Sequence, residues 1–181
     1  MSQGEPDIRQ QVEANRGAIK KLQLLIPGLR GYRSKEDLRV SDELLRNQVA
    51  DKLDRAKANM QLLRSRMAMN NDLTNITTVG SLMAQLQTLS GEVRHAAQGY
   101  AGWVAPIRID ENKLNALYEY DFAFVNQVFQ LDEATNPHNL NYDSSALGSI
   151  QNSLGQFSKT VSDLSQKWSR RIEMIEGIAL S

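Results

Sequence analysis

Residues 34–70 form one helical pattern unbroken by Gly or Pro. At 1.5 Å per residue, these roughly 37 positions make a rod about 55 Å long. Ser34 and Asp37 stand at capping positions of its first turn. The pairs Asp42/Arg46 and Asp51/Arg55 place acid four residues before base, which supports a helix by a few tenths of a kcal/mol each. The apolar seam runs through Leu38, Leu45, Val49, Leu53, Ala56, Met60, Leu63 and Met67. A helix of this length cannot bury such a seam alone, so other long helices must lie along it. The spacing Leu45, Val49, Leu53 has two successive steps of four, a stutter that locally unwinds a left-handed supercoil.

The rest of the chain supplies those helices. The first is expected over 6–26, with Ile8, Val12, Asn15, Ile19, Leu22 and Ile26 in its seam. Asn15 is either an edge residue or a buried register-setting amide. Pro27 stops this helix, and Gly28 and Gly31 permit positive φ in the link that follows. So short a link predicts that helices one and two pair as an antiparallel hairpin. Asn70-Asn71-Asp72 breaks the second helix, Asn being tolerant of the left-handed region and Asp72 or a nearby Thr suited to cap the third, expected over 74–98. Gly80 and Gly91 in that helix would let a neighbour approach closely. Residues 99–109 form a loop in which Trp103 is expected to plug the bundle end.

Asp110 then caps a fourth helix over 111–131. Its seam Leu114, Leu117, Asp121, Phe124, Val128, Leu131 is joined by a second stripe, Tyr118, Phe122 and Val125. A helix apolar over so much of its circumference is largely buried. Asp121 is the odd member. It sits either at a wet edge or buried against a cation, for which Arg16, Arg64 and Arg94 are candidates, since an unpaired buried carboxylate is expensive. A fifth helix over 144–177 is expected to be capped by Asp143, with a seam of Leu147, Ile150, Leu154, Phe157, Val161, Leu164, Trp168, Ile172 and Ile175. A second stutter falls at Trp168. The expected fold is all-α: a single elongated antiparallel helical bundle of four to five helices with coiled-coil-like packing.

Composition closes off several chemistries. There is no cysteine, so disulfides, thiolate metal sites and cysteine nucleophiles are excluded. No apolar run is long enough to span a bilayer, and the first residues lack a basic-then-apolar signal pattern; a cytoplasmic protein is expected. Residues 1–100 hold 15 Lys/Arg against 11 Asp/Glu, and residues 101–181 hold 6 against 10, so halves of +4 and −4 should attract within the fold. No basic excess or aromatic stacking set points to nucleic acid. The two histidines are His95 and His138. Glu92 and His95 match the Glu-x-x-His pattern of ferritin-like di-iron bundles, but in one copy where two are needed. No nucleophile elbow, Walker loop or dinucleotide fingerprint is present. Met60, Met67, Met69 and Met83 read as gap-filling core. No catalytic residue, cofactor or metal is expected.

Pro27-Gly28-Leu29-Arg30-Gly31-Tyr32, followed by Lys35-Glu36-Asp37-Leu38-Arg39, Asp42, Leu45-Arg46 and Leu53, resembles a segment of small uncharacterised bacterial all-helical proteins. That resemblance covers residues 27–53 and implies no activity, cofactor or partner. The expected function is a non-enzymatic protein-interaction or scaffold module, self-association included. Leu29, Arg30, Tyr32, Arg33, Lys35 and Arg39 are its candidate partner-binding residues, cations and apolar groups on an exposed connection. The alternative is a peripheral membrane module that lays residues 20–33 on an anionic surface. An enzyme or metal protein with a site in the bundle core is the third.

Overall fold

The computed structural model describes residues 8–31, 35–96, 111–140, 142, 143, 145 and 147–179. The side chains of 8–16, 35, 36, 111 and 177–179 are outside that description, as are Ser34, Trp103 and Asp110 and hence the roles expected of them. The same holds for the side chain of Asn15. Five helices are present: α1 (Ile8–Leu25), α2 (Lys35–Met69), α3 (Leu73–His95), α4 (Glu111–Thr135) and α5 (Leu147–Ala179). The described residues contain no strand, and the fold is all-α. α2 alone spans 35 residues, about 52 Å of helix.

Helices α2, α3, α5 and α4 close a ring in that order, each packed on the next and α4 back on α2. Side-chain pairs fix the directions. Arg94 reaches Asp51 and Asp54, and Ser90 reaches Asp54, so α3 runs antiparallel to α2. On α4, Asp121 shares a guanidinium with Asp42 while Asp132 meets Lys52 and Arg55, so α4 runs parallel to α2. α5 runs antiparallel to α4, with Gln127 bonded to Lys167 and Asp121 to Arg171. α3 and α4 are therefore diagonal, and the last turn of α3 and the first of α4 are at the same end of the ring.

α1 corrects the hairpin expectation. It packs chiefly on α4, not on α2. The second apolar stripe of α4 provides the reason, because Tyr118, Phe122 and Val125 offer a surface that α2 and α5 leave open. Lys21 Nζ lies 5.7 Å from the centre of the Phe122 ring, and Leu22 and Ile26 are fully buried. The link then turns through Gly28 at φ 88°, a conformation that favours glycine.

The turn between α2 and α3 forms as its residues dictate. Asn71 takes φ 56°, and Asp72 caps α3 by accepting from Asn75 N at 3.2 Å. Asp143 does not cap α5. Its carboxylate accepts from the backbone and hydroxyl of Ser145, a local Asx turn, and α5 starts later, at Leu147. α4 runs to Thr135, beyond the expected end at 131, because Asp132 stays in register to meet α2. Gly80 and Gly91 do not admit a close neighbour: a Cβ at either would meet no atom within 4 Å. Met60 and Met67 are core and Met83 packs against it, whereas Met69 is exposed.

Counting buried positions removes both stutters. In α2, Asp42, Arg46, Val49, Leu53, Ala56, Met60, Leu63 and Met67 step 4, 3, 4, 3, 4, 3, 4, with Leu45 also buried. In α5, Ile150 to Ile175 steps in the same alternation once Arg171, 1% exposed, replaces Ile172. In α4 the run from Leu114 to Thr135 passes through Asp121. Each regular seam is kept by admitting a charged residue, and those residues meet at one level of the bundle.

Candidate functional site

That level is the densest polar constellation among the described residues. Asp42, Arg46, Asp121 and Arg171 are at most 5% exposed. Arg171 is its hub. Its Nε and Nη2 donate to the two oxygens of Asp121 at 2.6 and 3.1 Å, and its Nη1 donates to Asp42 Oδ1 at 2.7 Å. Arg46 Nε donates to the other Asp42 oxygen at 2.7 Å. Arg46 Nη1 donates to the carbonyl of Arg94 at 2.9 Å. That carbonyl belongs to the last turn of α3, where helical carbonyls lack an intrahelical donor and a cation is favoured. One network thus ties all four helices of the ring. Two carboxylates face two guanidiniums, so the layer is charge-neutral.

Burial by itself would raise the Asp42 carboxyl. The Arg171 charge and the hydrogen bonds from Arg46 and Arg171 outweigh burial and hold it below the usual carboxylate range. The aromatic floor is Trp168, whose ring lies 5.2 Å from the Arg171 guanidinium carbon and 5.7 Å from the Phe124 ring centre. Trp168 Nε1 is buried and has no hydrogen-bond partner among the described residues. The cavity beside it, lined by Asp42, Arg46, Trp168, Arg171 and Ile175 among others, measures about 20 Å³. A single water needs roughly 10–15 Å³, so this space is water-sized.

A second ion cluster lies about three turns further along α2, at its middle and near the C-terminal end of α4. Asp132 accepts from Lys52 Nζ at 3.0 Å and from Arg55 Nε at 2.8 Å. Burial opposes its ionisation, but the bonds from Arg55 and Lys52 hold its pKa below the ordinary value. Lys52 and Arg55 keep 26% and 56% of their side chains in water. Ion pairs between the two halves run in both directions: here cations of the first half meet an acid of the second, whereas Arg171 and Asp42 reverse that polarity.

Asp121 is therefore buried and paired, and Arg171 is a partner that the sequence reading did not name; the side chain of Arg16, one of its three candidates, lies outside the described residues. Arg171 and Arg46 were missed as core residues although the signal was present: admitting them makes both seams regular.

The expected partner-binding tip is divided by the structure. Leu29 is 3% exposed and belongs to the core. Arg30 is exposed, while its backbone is pinned by Ser41 Oγ, which donates to Arg30 O at 2.9 Å and accepts from Arg30 N at 3.2 Å. Arg39 is exposed. Tyr32, Arg33 and the side chain of Lys35 lie outside the described residues. In the candidate membrane segment, Leu22, Ile26 and Leu29 are buried, and Leu24 at 84% is its strongly exposed apolar residue among the described residues. No helix among the described residues is long and apolar enough to cross a membrane.

Both histidines are exposed, at opposite ends of the bundle. Among the described residues no three His, Asp or Glu side chains converge as a metal-ligand set. No protein family, no curated protein and no solved structure matches the chain.

Proposed function

We propose that the protein is a non-enzymatic interaction or scaffold module of the cytoplasm, a long helical bundle with coiled-coil-like packing that presents its outer faces to protein partners. One observation carries the reading. The constellation with the most chemistry in it, Asp42–Arg46–Asp121–Arg171, pairs two acids with two arginines, is bonded to all four helices of the ring and has a water-sized space beside it. Such a layer specifies how helices pair, a role attested for buried polar groups in helical assemblies. The exposed Arg30 of the α1–α2 link remains a candidate contact for an acidic partner.

The test separates architecture from chemistry. Asp42→Leu, Arg46→Met, Asp121→Leu and Arg171→Met are combined, replacing the layer with apolar groups of similar size. Such replacement of a whole buried ion cluster is often neutral or stabilising. Tagged wild type and the combined variant are isolated from the native host and co-purifying proteins are quantified by mass spectrometry. The expected result is the same specific partner with both chains. A folded variant that loses the partner would make the layer part of the binding site. A wild type that brings down nothing above a tag control would overturn the reading.

A further inference from the structure

Trp168 carries an unmet donor. Its side chain is 2% exposed, and its Nε1 is the buried side-chain polar atom among the described residues that lacks a hydrogen-bond partner. The groups stacked around the indole do not supply one. The Phe124 ring, whose centre is 5.7 Å from that of the indole, has no lone pair to offer. The Arg171 guanidinium over the indole carries donors only. A buried N–H without an acceptor keeps the full cost of leaving water, and native interiors meet such groups with protein or with ordered water.

A place for a water adjoins the indole. Trp168 walls the space of about 20 Å³ together with Asp42, Arg46 and Arg171, three charged side chains at most 5% exposed. A space lined by hydrocarbon alone stays dry, whereas a polar one above roughly 10–15 Å³ holds a water that finds roughly two to four partners. Asp42 has capacity left for it. Its Oδ1 accepts from Arg171 Nη1 and its Oδ2 from Arg46 Nε, and a carboxylate offers about four lone-pair directions. The occupant has to accept from the indole and donate to the acid. A bare cation cannot do the first and a bare anion cannot do the second; a bridging water does both.

We infer that this space is a built site for one ordered water, which accepts from Trp168 Nε1 and donates to the Asp42 carboxylate. The water is a fifth member of the ionic layer. It gives α2 and α5, which face each other across the ring, a second bridge beside the bond from Arg171 to Asp42. The inference stands apart from the interaction-module reading, since it is measured on purified protein.

NMR of the isotope-labelled full chain tests it. The chain has two tryptophans, and the indole N–H signal that remains in Trp103→Phe and is absent from Trp168→Phe belongs to Trp168. Water-selective spectra in the laboratory and rotating frames should give that signal cross-peaks of opposite sign, the signature of a water that tumbles with the protein. Ala96 borders the same space. Ala96→Val adds bulk there and leaves every arginine and carboxylate in place. The folded variant should lose the cross-peak, which separates a bound water from protons relayed through the guanidiniums. A wild-type Trp168 signal with no water cross-peak, or with cross-peaks of one sign, overturns the proposal whatever the variant does. So does a folded Ala96→Val chain that keeps the cross-peak.

Discussion

The two ion clusters use the same residue types to different ends. Arg171, with Asp42 and Asp121, is sealed within the ring, whereas Lys52 and Arg55 reach Asp132 from the water. In the sealed cluster the cost of removing charges from water is already committed, so each member depends on the others being present. In the second cluster Asp132 is itself buried, but Lys52 and Arg55 keep part of their side chains in water, so a cation that loses Asp132 is simply hydrated. The same salt-bridge geometry therefore specifies the fold at one level of the bundle and contributes little at another. Burial, not distance, makes the difference.

Arg171→Met should have the largest effect. It leaves two buried carboxylates without their hub and should cost about 3–5 kcal/mol, read as a shift in the urea midpoint at unchanged slope. A loss below 1 kcal/mol would mean that water reaches the layer. Leu86→Ala and Leu154→Ala, both mid-seam and at most 1% exposed, set the apolar yardstick at about 2–5 kcal/mol each. If both fall short of 1 kcal/mol, the packing around them is loose and the ring itself is in doubt.

Acid should act next. The Asp42 carboxyl is depressed in the folded state, so its contribution is complete above the unfolded value of about 3.9 and is lost as pH falls through the lower folded value. Melts at pH 7, 5 and 3.5 should show little change across the first interval and a clear loss across the second. Asp132→Asn should have the smallest effect, about 1 kcal/mol or less, since its partners return to water. A loss as large as that of Arg171→Met would erase the distinction between the clusters.

The fold class and the approximate helix positions were legible because long stretches keep a helical period and stop at Pro27 and Asn71. The broad apolar surface of α4 was legible too, but not what covers it: the short link suggested α2 as the partner of α1, and the extra stripe of α4 claimed it instead. Arg171 was illegible for a physical reason. Charge argues against burial one residue at a time, and only the three-dimensional meeting of two acids with two arginines cancels the penalty. Its trace was an apparent irregularity at Trp168. Leu29 misled in the opposite sense, since a residue of a connecting segment folded back under Leu22 and Ile26 into the core. Met69 misled similarly, because a methionine in the last turn of a long helix can lie past the bundle's cover.

Arg171 and Asp42 are 129 residues apart in the chain. The α2–α3 and α4–α5 hairpins can each form from near neighbours, at a small cost in loop closure. Joining them brings the most distant parts of the chain together, and sequence-distant contacts of this kind slow a search that local helices would complete quickly. Contacts formed after the transition state leave the rate of assembly nearly untouched and govern the rate of coming apart, so Arg171→Met is expected to speed unfolding more than it slows folding, read from the two arms of a denaturant chevron.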